Sequence, residues 1–170
     1  MLSKNNLNIS NGVKILVVYY SRTGFTKKLA DFIAKKINAS LEEIKDTVDR
    51  AGAKGYLLAG RDATFRRLTK LEKPSHNPGD FDLVVIGTPI WSWNMSAPIR
   101  TYLHKYKAQF KQAALFCTMG DNGDERAFKE MEEIIGKKPA AVLSLKTKEV
   151  ITDSFAKADK FCEEIIKMVI

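Results

Sequence analysis

The sequence predicts an α/β fold in which helices cover both faces of a parallel sheet. Short apolar runs alternate with longer segments whose apolar residues recur every three or four positions, which is the pattern of strands alternating with helices. The apolar run Val13 to Tyr20 leads directly into an amphipathic segment through a turn of hydroxyl residues and glycine. We therefore expect a doubly wound, five-stranded parallel sheet of order 2-1-3-4-5, with the ends of strands one, three and four at one edge.

The first half of the chain supplies three of the strands. Strand one, Val13 to Tyr20, precedes helix one at about Thr26 to Asn38, and a weaker strand follows at Ser40 to Lys45. Strand three is the run Phe81 to Gly87, which is apolar apart from Asp82. A helix then begins near Ala97, with a proline in its first turn, where the missing amide hydrogen does no harm.

The second half completes the alternation. Strand four is Ala113 to Met119, and the helix after it is ended by Gly136. Strand five, Ala140 to Leu145, runs without a long insertion, and a final helix with a strong apolar stripe occupies about Asp153 to Val169. Each strand therefore has a helix to carry the chain back across the sheet.

The segment Asp49 to Asp80 is the least regular part of the sequence. Glycines interrupt it, although Tyr56 to Leu58 and Phe65 to Leu68 have helical, amphipathic character. We expect a short helix between long loops. Irregular segments of this kind often cover a ligand, so this one is a candidate lid or specificity element.

Length and composition indicate one globular domain. The 170 residues fit a domain at 13–170, preceded by a polar extension at 1–12. That extension lacks the apolar stretch of a signal peptide, and no apolar run has the length of a membrane span. Cys117 and Cys162 lie in apolar contexts and form no CxxC pair, so we expect a cytoplasmic protein with reduced thiols.

The net charge of +8 is open to three interpretations: nucleic-acid binding, an acidic protein partner, or a basic solvated surface. The lysines are scattered in pairs and aromatic residues do not interleave with them, which disfavours nucleic acid. An acidic redox partner and a basic surface remain open. We expect no membrane partner, and a monomer or a homodimer.

Three loops at the expected sheet edge carry the candidate binding residues. Loop one, Ser21 to Thr26, reads S-R-T-G-F-T and lies between strand one and helix one. A helix start offers free amide groups and the positive end of the dipole, and the hydroxyl residues add donors for an anion. The candidate ligands in loop one are Ser21, Arg22, Thr23, Gly24, Phe25 and Thr26.

Loop two, Thr88 to Asn94, follows strand three. It offers a hydroxyl, a stiff proline and two indoles, which suit the stacking of a flat aromatic ring. Its candidate ligands are Thr88, Pro89, Ile90, Trp91, Ser92, Trp93 and Asn94.

Loop three, Thr118 to Asp124, follows strand four. Its two glycines let backbone groups approach a ring edge, and its acidic and amide residues can make polar contacts. Its candidate ligands are Thr118, Met119, Gly120, Asp121, Gly123 and Asp124, with Asn122 as a further polar contact.

Loop one, in the run Y-S-R-T-G-F-T, resembles the phosphate loop of the flavodoxin superfamily. The run G-T-P-I-W-S-W-N-M-S-A-P-I-R-T-Y-L is more similar to FMN-dependent quinone reductases of the tryptophan-repressor-binding-protein type. The uninterrupted fifth strand is that of the short-chain members. The resemblance implies a flavodoxin-like three-layer sandwich that binds FMN, with its phosphate in loop one and its ring between loops two and three.

The sequence departs from that family in two ways. Flavodoxins have a G-D-x-x-Y element in loop three whose tyrosine lies on the flavin, whereas here Gly123 and Asp124 lead to Ala127. A tryptophan of loop two must then supply the outer stacking face. Flavodoxins are also usually acidic, and this chain is basic.

The chemistry belongs to the cofactor, so we expect no catalytic side chain. His76 and His104 lie beside no nucleophile, and no metal-ligand spacing occurs. The resemblance implies a redox carrier between protein partners or, as the alternative, an NAD(P)H-dependent reductase of quinones or other small acceptors. A phosphate-binding GxxxxGK[ST] loop is missing from the sequence, which argues against a nucleotide hydrolase.

Overall fold

The computed structural model describes residues 12–169, so the extension predicted for residues 1–12 lies outside them except for its last residue. Within this range there are six strands: β1 Ile15–Tyr19, β2 Ser40–Glu43, β3 Leu83–Trp91, β4 Asn94–Met95, β5 Ala113–Met119 and β6 Val142–Lys146. Five are parallel in the order β2-β1-β3-β5-β6, and β4 pairs antiparallel with β3. The order predicted for the five parallel strands is confirmed.

The helices cover both faces of this sheet. They are α1 Phe25–Lys36, α2 Gly52–Thr64, α3 Ala97–Tyr106, α4 Asp124–Ile135, α5 Thr147–Ile151 and α6 Ala156–Val169. Alternate residues of each strand enter opposite core layers: Val17 packs in the layer with α1 and α6, and Val18 packs in the layer with α3 and α4. Among residues 12–169, no helix combines the length and the apolar character needed to cross a lipid bilayer.

The largest departure from the predicted elements lies in β3. The strand was expected to end at Gly87, but it continues to Trp91 because Ile90 and Trp91 pair with the two residues of β4. Ser92 and Trp93 form the two-residue turn, with φ angles of +47° and +60°. Positive φ at both positions is the signature of a type I′ hairpin turn, so most of loop two is a β-hairpin.

Two further differences concern helices. The segment from Asp49 was expected to hold a short helix, whereas α2 runs for 13 residues. The final helix was expected to begin at Asp153, but that residue has a φ of +52° and α6 starts at Ala156. The preceding short helix α5 has no counterpart among the predicted elements.

The centre of the sheet depends on a close contact between β3 and β5. Gly87 and Phe116 are neighbours in the parallel register, and the phenyl ring lies over the glycine. A Cβ atom at position 87 would fall 2.0 Å from Cζ of Phe116. Glycine is therefore required here for space.

Candidate functional site

The carboxyl ends of β1, β3 and β5 open into one cleft of about 650 Å³. It lies at the switch point between β1 and β3, where open α/β sheets bind ligands, and its volume is typical of a small-molecule site. The lining residues come from loop one, α2, the end of β3, loop three and the start of α5: Arg22, Thr23, Phe25, Thr26, Tyr56, Leu57, Ala59, Gly60, Arg61, Pro89, Ile90, Trp91, Ser92, Thr118, Met119, Gly120 and Thr147.

Loop one is built as an anion-binding turn. Gly24 adopts a φ of +94°, and its amide donates a 3.0 Å hydrogen bond to Oγ of Ser21, which folds the loop back on itself. α1 then starts at Phe25, and no side chain in the described part of the chain caps its first turn. The first amides of α1 are thus left to an anionic ligand at the positive end of the helix dipole.

A hydroxyl pair joins loop one to loop three. The hydroxyls of Thr26 and Thr118 lie 2.7 Å apart and share a hydrogen bond, and both residues are almost fully buried. Both also line the cleft. The pair therefore fixes the spacing of the two loops on the cleft floor.

Loop two contributes one of its two indoles to the cleft. Trp91 lines the cleft, with its ring edge-on to Tyr20 at 5.6 Å and the guanidinium carbon of Arg50 5.6 Å from its ring centroid. Burial raises the pKa of Tyr20 to about 12, helped by the charge of Asp46, so the phenol is neutral. Trp91 is thus held by Tyr20 and Arg50, and its ring forms part of the cleft wall.

Pro89, Ile90 and Ser92 of loop two also line the cleft, whereas its other three candidates lie elsewhere. Thr88 is fully buried and accepts a 3.0 Å hydrogen bond from the amide of Ser96. Asn94 is also buried and donates to the carbonyl of Ser92 at 2.6 Å. Trp93 stands at the hairpin tip and is 60% exposed. None of these three residues is among those that line the cleft.

In loop three, as in loop two, only some of the candidate residues line the cleft. Thr118, Met119 and Gly120 line the cleft, whereas Asp121 points to solvent. A 2.6 Å ion pair with Lys146 holds the pKa of Asp121 below its ordinary value. Gly123, with a φ of +109°, and Asp124 begin α4 instead of lining the cleft.

The sequence identified the segment that contains α2 as a candidate lid, but it did not identify which residues of α2 line the cleft. Tyr56, Leu57, Ala59, Gly60 and Arg61 of α2 form a side of the cleft. The amphipathic run beginning at Tyr56 was the signal for them. The sequence analysis also missed Thr147. Its hydroxyl donates a hydrogen bond to the carbonyl of Met119 at 3.1 Å, and no sequence pattern predicts this contact.

Arg22 connects loop one with α2. Its guanidinium carbon lies 5.4 Å from the ring centroid of Tyr56, and its Nη1 donates a 3.4 Å hydrogen bond to the carbonyl of Arg50. Because Arg22 also lines the cleft, it closes the side between the loop and the helix. An arginine in this position offers a positive charge and several N–H donors to a bound anion.

A cluster of charged residues lies beneath the cleft wall that Trp91 and α2 form. Nε of Arg50 donates to Asp46 at 2.6 Å, and its Nη1 donates to Asp62 at 2.9 Å. Arg61 also pairs with Asp62, at 2.7 Å. Burial alone would raise the pKa of Asp62, but the hydrogen bonds and charges of the two arginines outweigh it and lower that pKa.

The cysteines and histidines take no part in the cleft. Cys117 and Cys162 are fully buried, and burial raises the pKa of both thiols, that of Cys162 to about 12. His76 packs against Glu42, and neither it nor His104 lines the cleft. Across the described range no group of three or more acidic, histidine or cysteine residues is arranged to hold a metal ion.

Comparison with known proteins identifies one family for almost the whole chain. The family described as flavodoxin matches residues 14–159. The match begins just before β1 and extends into α6, so it includes all three loops and the cleft between them.

Several solved structures of similar fold are described as flavoproteins or flavodoxins. A flavoprotein from Lactobacillus acidophilus, solved in complex with FMN, is 25% identical, with 85% of this chain and 99% of that chain covered and a TM-score of 0.68. A putative flavoprotein from Bacteroides uniformis is 21% identical with the same coverage and a TM-score of 0.69. A WrbA-like flavodoxin protein from Agrobacterium tumefaciens is 14% identical, covering 93% and 99%, with a TM-score of 0.54. The last two likenesses concern the fold alone.

Proposed function

This chain belongs to the flavodoxin family, and we propose that it transfers electrons between protein partners by means of its bound cofactor. The cofactor is FMN, as in the similar Lactobacillus acidophilus flavoprotein. When bound, FMN supplies the redox chemistry. The work of this chain is to bind the cofactor, orient it and control what reaches it.

The residues of the cleft fit the phosphate end of FMN. The uncapped amides at the start of α1 and the exposed hydroxyl of Thr23 give donors without a fixed lysine. Arg22 adds a positive charge on the lining of the cleft. Ser21 contributes indirectly, because its hydroxyl already accepts from Gly24 and shapes the loop.

The other end of the cleft fits a flat ring. Trp91, Tyr56 and Leu57 give this end large apolar and aromatic surfaces. Gly120 has no side chain, which leaves space for one edge of the ring. The tyrosine that lies on the flavin in flavodoxins is missing from loop three, and Trp91 is the indole in place to substitute for it. Trp93 is left free for contacts outside the cleft.

The observation that carries the electron-transfer role is the exposed apolar surface at the cleft itself. Tyr56 and Leu57 line the cleft and yet are 64% and 71% exposed. Large apolar side chains beside a redox site, accompanied by Arg22 and Arg61, suit the docking of a protein partner. With a net charge of +8, the partner that fits is an acidic redox protein.

A reductase that takes hydride from NAD(P)H is the second candidate. α2 encloses one side of the cleft, as an enzyme that shields its ring face requires. Arg22 and Arg61 place two guanidinium groups on the lining, and such groups recognise the phosphates of a dinucleotide. Its small acceptor is then a quinone or a similar molecule.

Cofactor binding is tested by titrating apo-protein with FMN and following the quenching of flavin fluorescence. Thr23→Ala should weaken binding by roughly 10- to 100-fold, because a hydrogen bond to a charged group is worth about 1.5–3 kcal/mol. Thr152→Ala, an exposed threonine outside the cleft, is the matched control. Equal affinities for the two variants would remove Thr23 from the phosphate site, and a protein that binds no FMN would overturn the proposed function.

The two roles are separated by stopped-flow absorbance. A carrier that has been reduced chemically should transfer electrons to anionic ferricyanide more slowly as salt is added, and to cationic hexaammineruthenium more quickly. It should react only slowly with NADPH and NADH. Rapid, saturable reduction by either nucleotide would reject the carrier role and favour the reductase.

A further inference from the structure

Arg50 is buried where three parts of the cleft wall meet. It is 3% exposed, and its side chain reaches Asp46 before α2 and Asp62 within α2. The same guanidinium lies 5.6 Å from the ring centroid of Trp91 on β3. One side chain thus contacts the connection before α2, α2 itself and the indole that lines the cleft.

The backbone of Arg50 is also part of this junction. A Cβ atom at Gly55 would fall 2.0 Å from the carbonyl carbon of Arg50, so the first turn of α2 packs directly on this residue. The carbonyl oxygen accepts the hydrogen bond from Arg22 of loop one. Loop one, α2 and β3 are therefore all connected through a single residue.

Stability alone does not account for this arrangement. A buried ion pair gains little over well-packed apolar side chains, because desolvation of the charges offsets their attraction. Moreover, no group among residues 12–169 accepts a hydrogen bond from the buried Nη2 of Arg50. An apolar residue or a lysine cannot reproduce a guanidinium that lies 5.6 Å from the Trp91 ring centroid while two of its nitrogens bind separate carboxylates.

We propose that Arg50 is a positioning residue for FMN, which acts through Trp91 and α2 to hold the cleft wall in its binding geometry. The inference rests on the proposed cofactor site. Arg50 is not one of the residues that line the cleft, so its effect on FMN is transmitted by the residues it contacts. The cluster is charge-balanced, with Arg50 and Arg61 opposite Asp46 and Asp62, so its influence is one of geometry.

A double-mutant cycle between Arg50→Lys and Trp91→Phe tests the proposal. Lysine keeps the charge and a partner for the carboxylates but loses the guanidinium beside the indole. Each single variant should raise the dissociation constant for FMN by on the order of tenfold, as expected for a desolvated cation–π contact and a stacking face. The double variant should bind about as weakly as the weaker single variant, because one effect operates through the other.

Arg100 supplies the matched control. It is as buried as Arg50, is paired bidentately with Glu130 between α3 and α4, and lies outside the cleft lining. Arg100→Lys should lower the melting temperature without changing FMN affinity by more than about twofold. If Arg50→Lys behaves in the same way, Arg50 supports only the fold and the proposal is wrong.

A measurement without ligand covers the case in which Arg50→Lys binds no FMN. The chain has 2 tryptophans, so Trp93→Phe leaves Trp91 as the single indole. In that background Arg50→Lys should increase acrylamide quenching of Trp91, and Arg100→Lys should not. Unchanged quenching, or additive losses of affinity in the cycle, would overturn the proposal; failure of the unmutated protein to bind FMN would instead reject the cofactor site.

Discussion

The hydroxyl pair on the cleft floor allows a quantitative test of how loops one and three are joined. In Thr26→Val the side chain keeps its shape but loses its hydroxyl, so the hydroxyl of Thr118 stays buried without its 2.7 Å partner. A buried polar group left without a partner costs about 1–3 kcal/mol. In a chain of this size each kcal/mol lowers the melting temperature by roughly 2–4 °C, which gives an expected loss of about 2–12 °C.

The second variant removes both hydroxyls. Thr26→Val with Thr118→Val replaces the pair by two apolar groups of the same shape, and such a replacement is nearly neutral. The double variant should therefore recover most of the stability lost in the single one. Thr23→Val, an exposed change in the same loop, controls for the effect of valine on the turn.

The assay is thermal and urea denaturation of the apo-proteins, followed by far-ultraviolet circular dichroism. The coupling energy between the two positions should approach the sum of the two single-variant losses and be opposite in sign. Additive losses from Thr26→Val and Thr118→Val would show that the two hydroxyls do not depend on each other, and the reasoning about the floor would be refuted.

Three further outcomes follow from other parts of the molecule. Ser92→Asn with Trp93→Gly places the preferred pair in a type I′ turn and should raise the free energy of unfolding by about 1 kcal/mol, measured by urea denaturation; a lower value would contradict strain at the tip. The pKa of Asp62 is lowered in the folded protein, so its ionised carboxylate adds to the free energy of unfolding above the ordinary pKa of 3.8, and this stabilisation is lost as the pH falls through the folded pKa. Asp62→Asn should therefore flatten that part of the acid-denaturation profile. An unchanged profile would exclude a stabilising contribution from the Asp62 carboxylate. Burial raises the pKa of Cys117 and Cys162, so Ellman's reagent near neutral pH should label both only as fast as the protein opens, and immediate labelling would contradict their burial.

The sheet and loop one could be predicted because their signals are local. The S-R-T-G-F-T run contains its own turn, glycine and helix start, and the structure forms all three there. The strand order followed from the alternation of strands and helices, which depends on periodicity along the chain and not on distant contacts. β5 was predicted with the bounds that it has, Ala113 to Met119.

The hairpin of loop two could not be predicted because its turn has an unusual composition. Asn-Gly or Asp-Gly announces a type I′ turn, whereas here Ser92 and Trp93 occupy the positive φ positions. The extension of β3 and the separation of the two indoles both follow from that turn. α5 is too short to give a helical period in the sequence.

The wall formed by α2 could not be predicted in detail because it depends on contacts between residues far apart in the chain. Asp46, Arg50 and Asp62 look like scattered surface charges in the sequence, and only the fold buries them together. The same is true of Arg22, whose contact with Tyr56 spans loop one and α2. The burial of paired charges produces no periodic pattern in the sequence, so it could not be predicted from it.

The contact of Gly87 with Phe116 constrains how related chains can diverge. The ring occupies the space in which any larger residue at position 87 would put its first side-chain carbon. A relative that acquires alanine or serine at that site must first lose the aromatic ring on the neighbouring strand, so the two positions should change as a pair and in a fixed order. Because both lie in the strands that lead to the cleft, an unpaired change at the centre of the sheet would displace the loops that receive the cofactor.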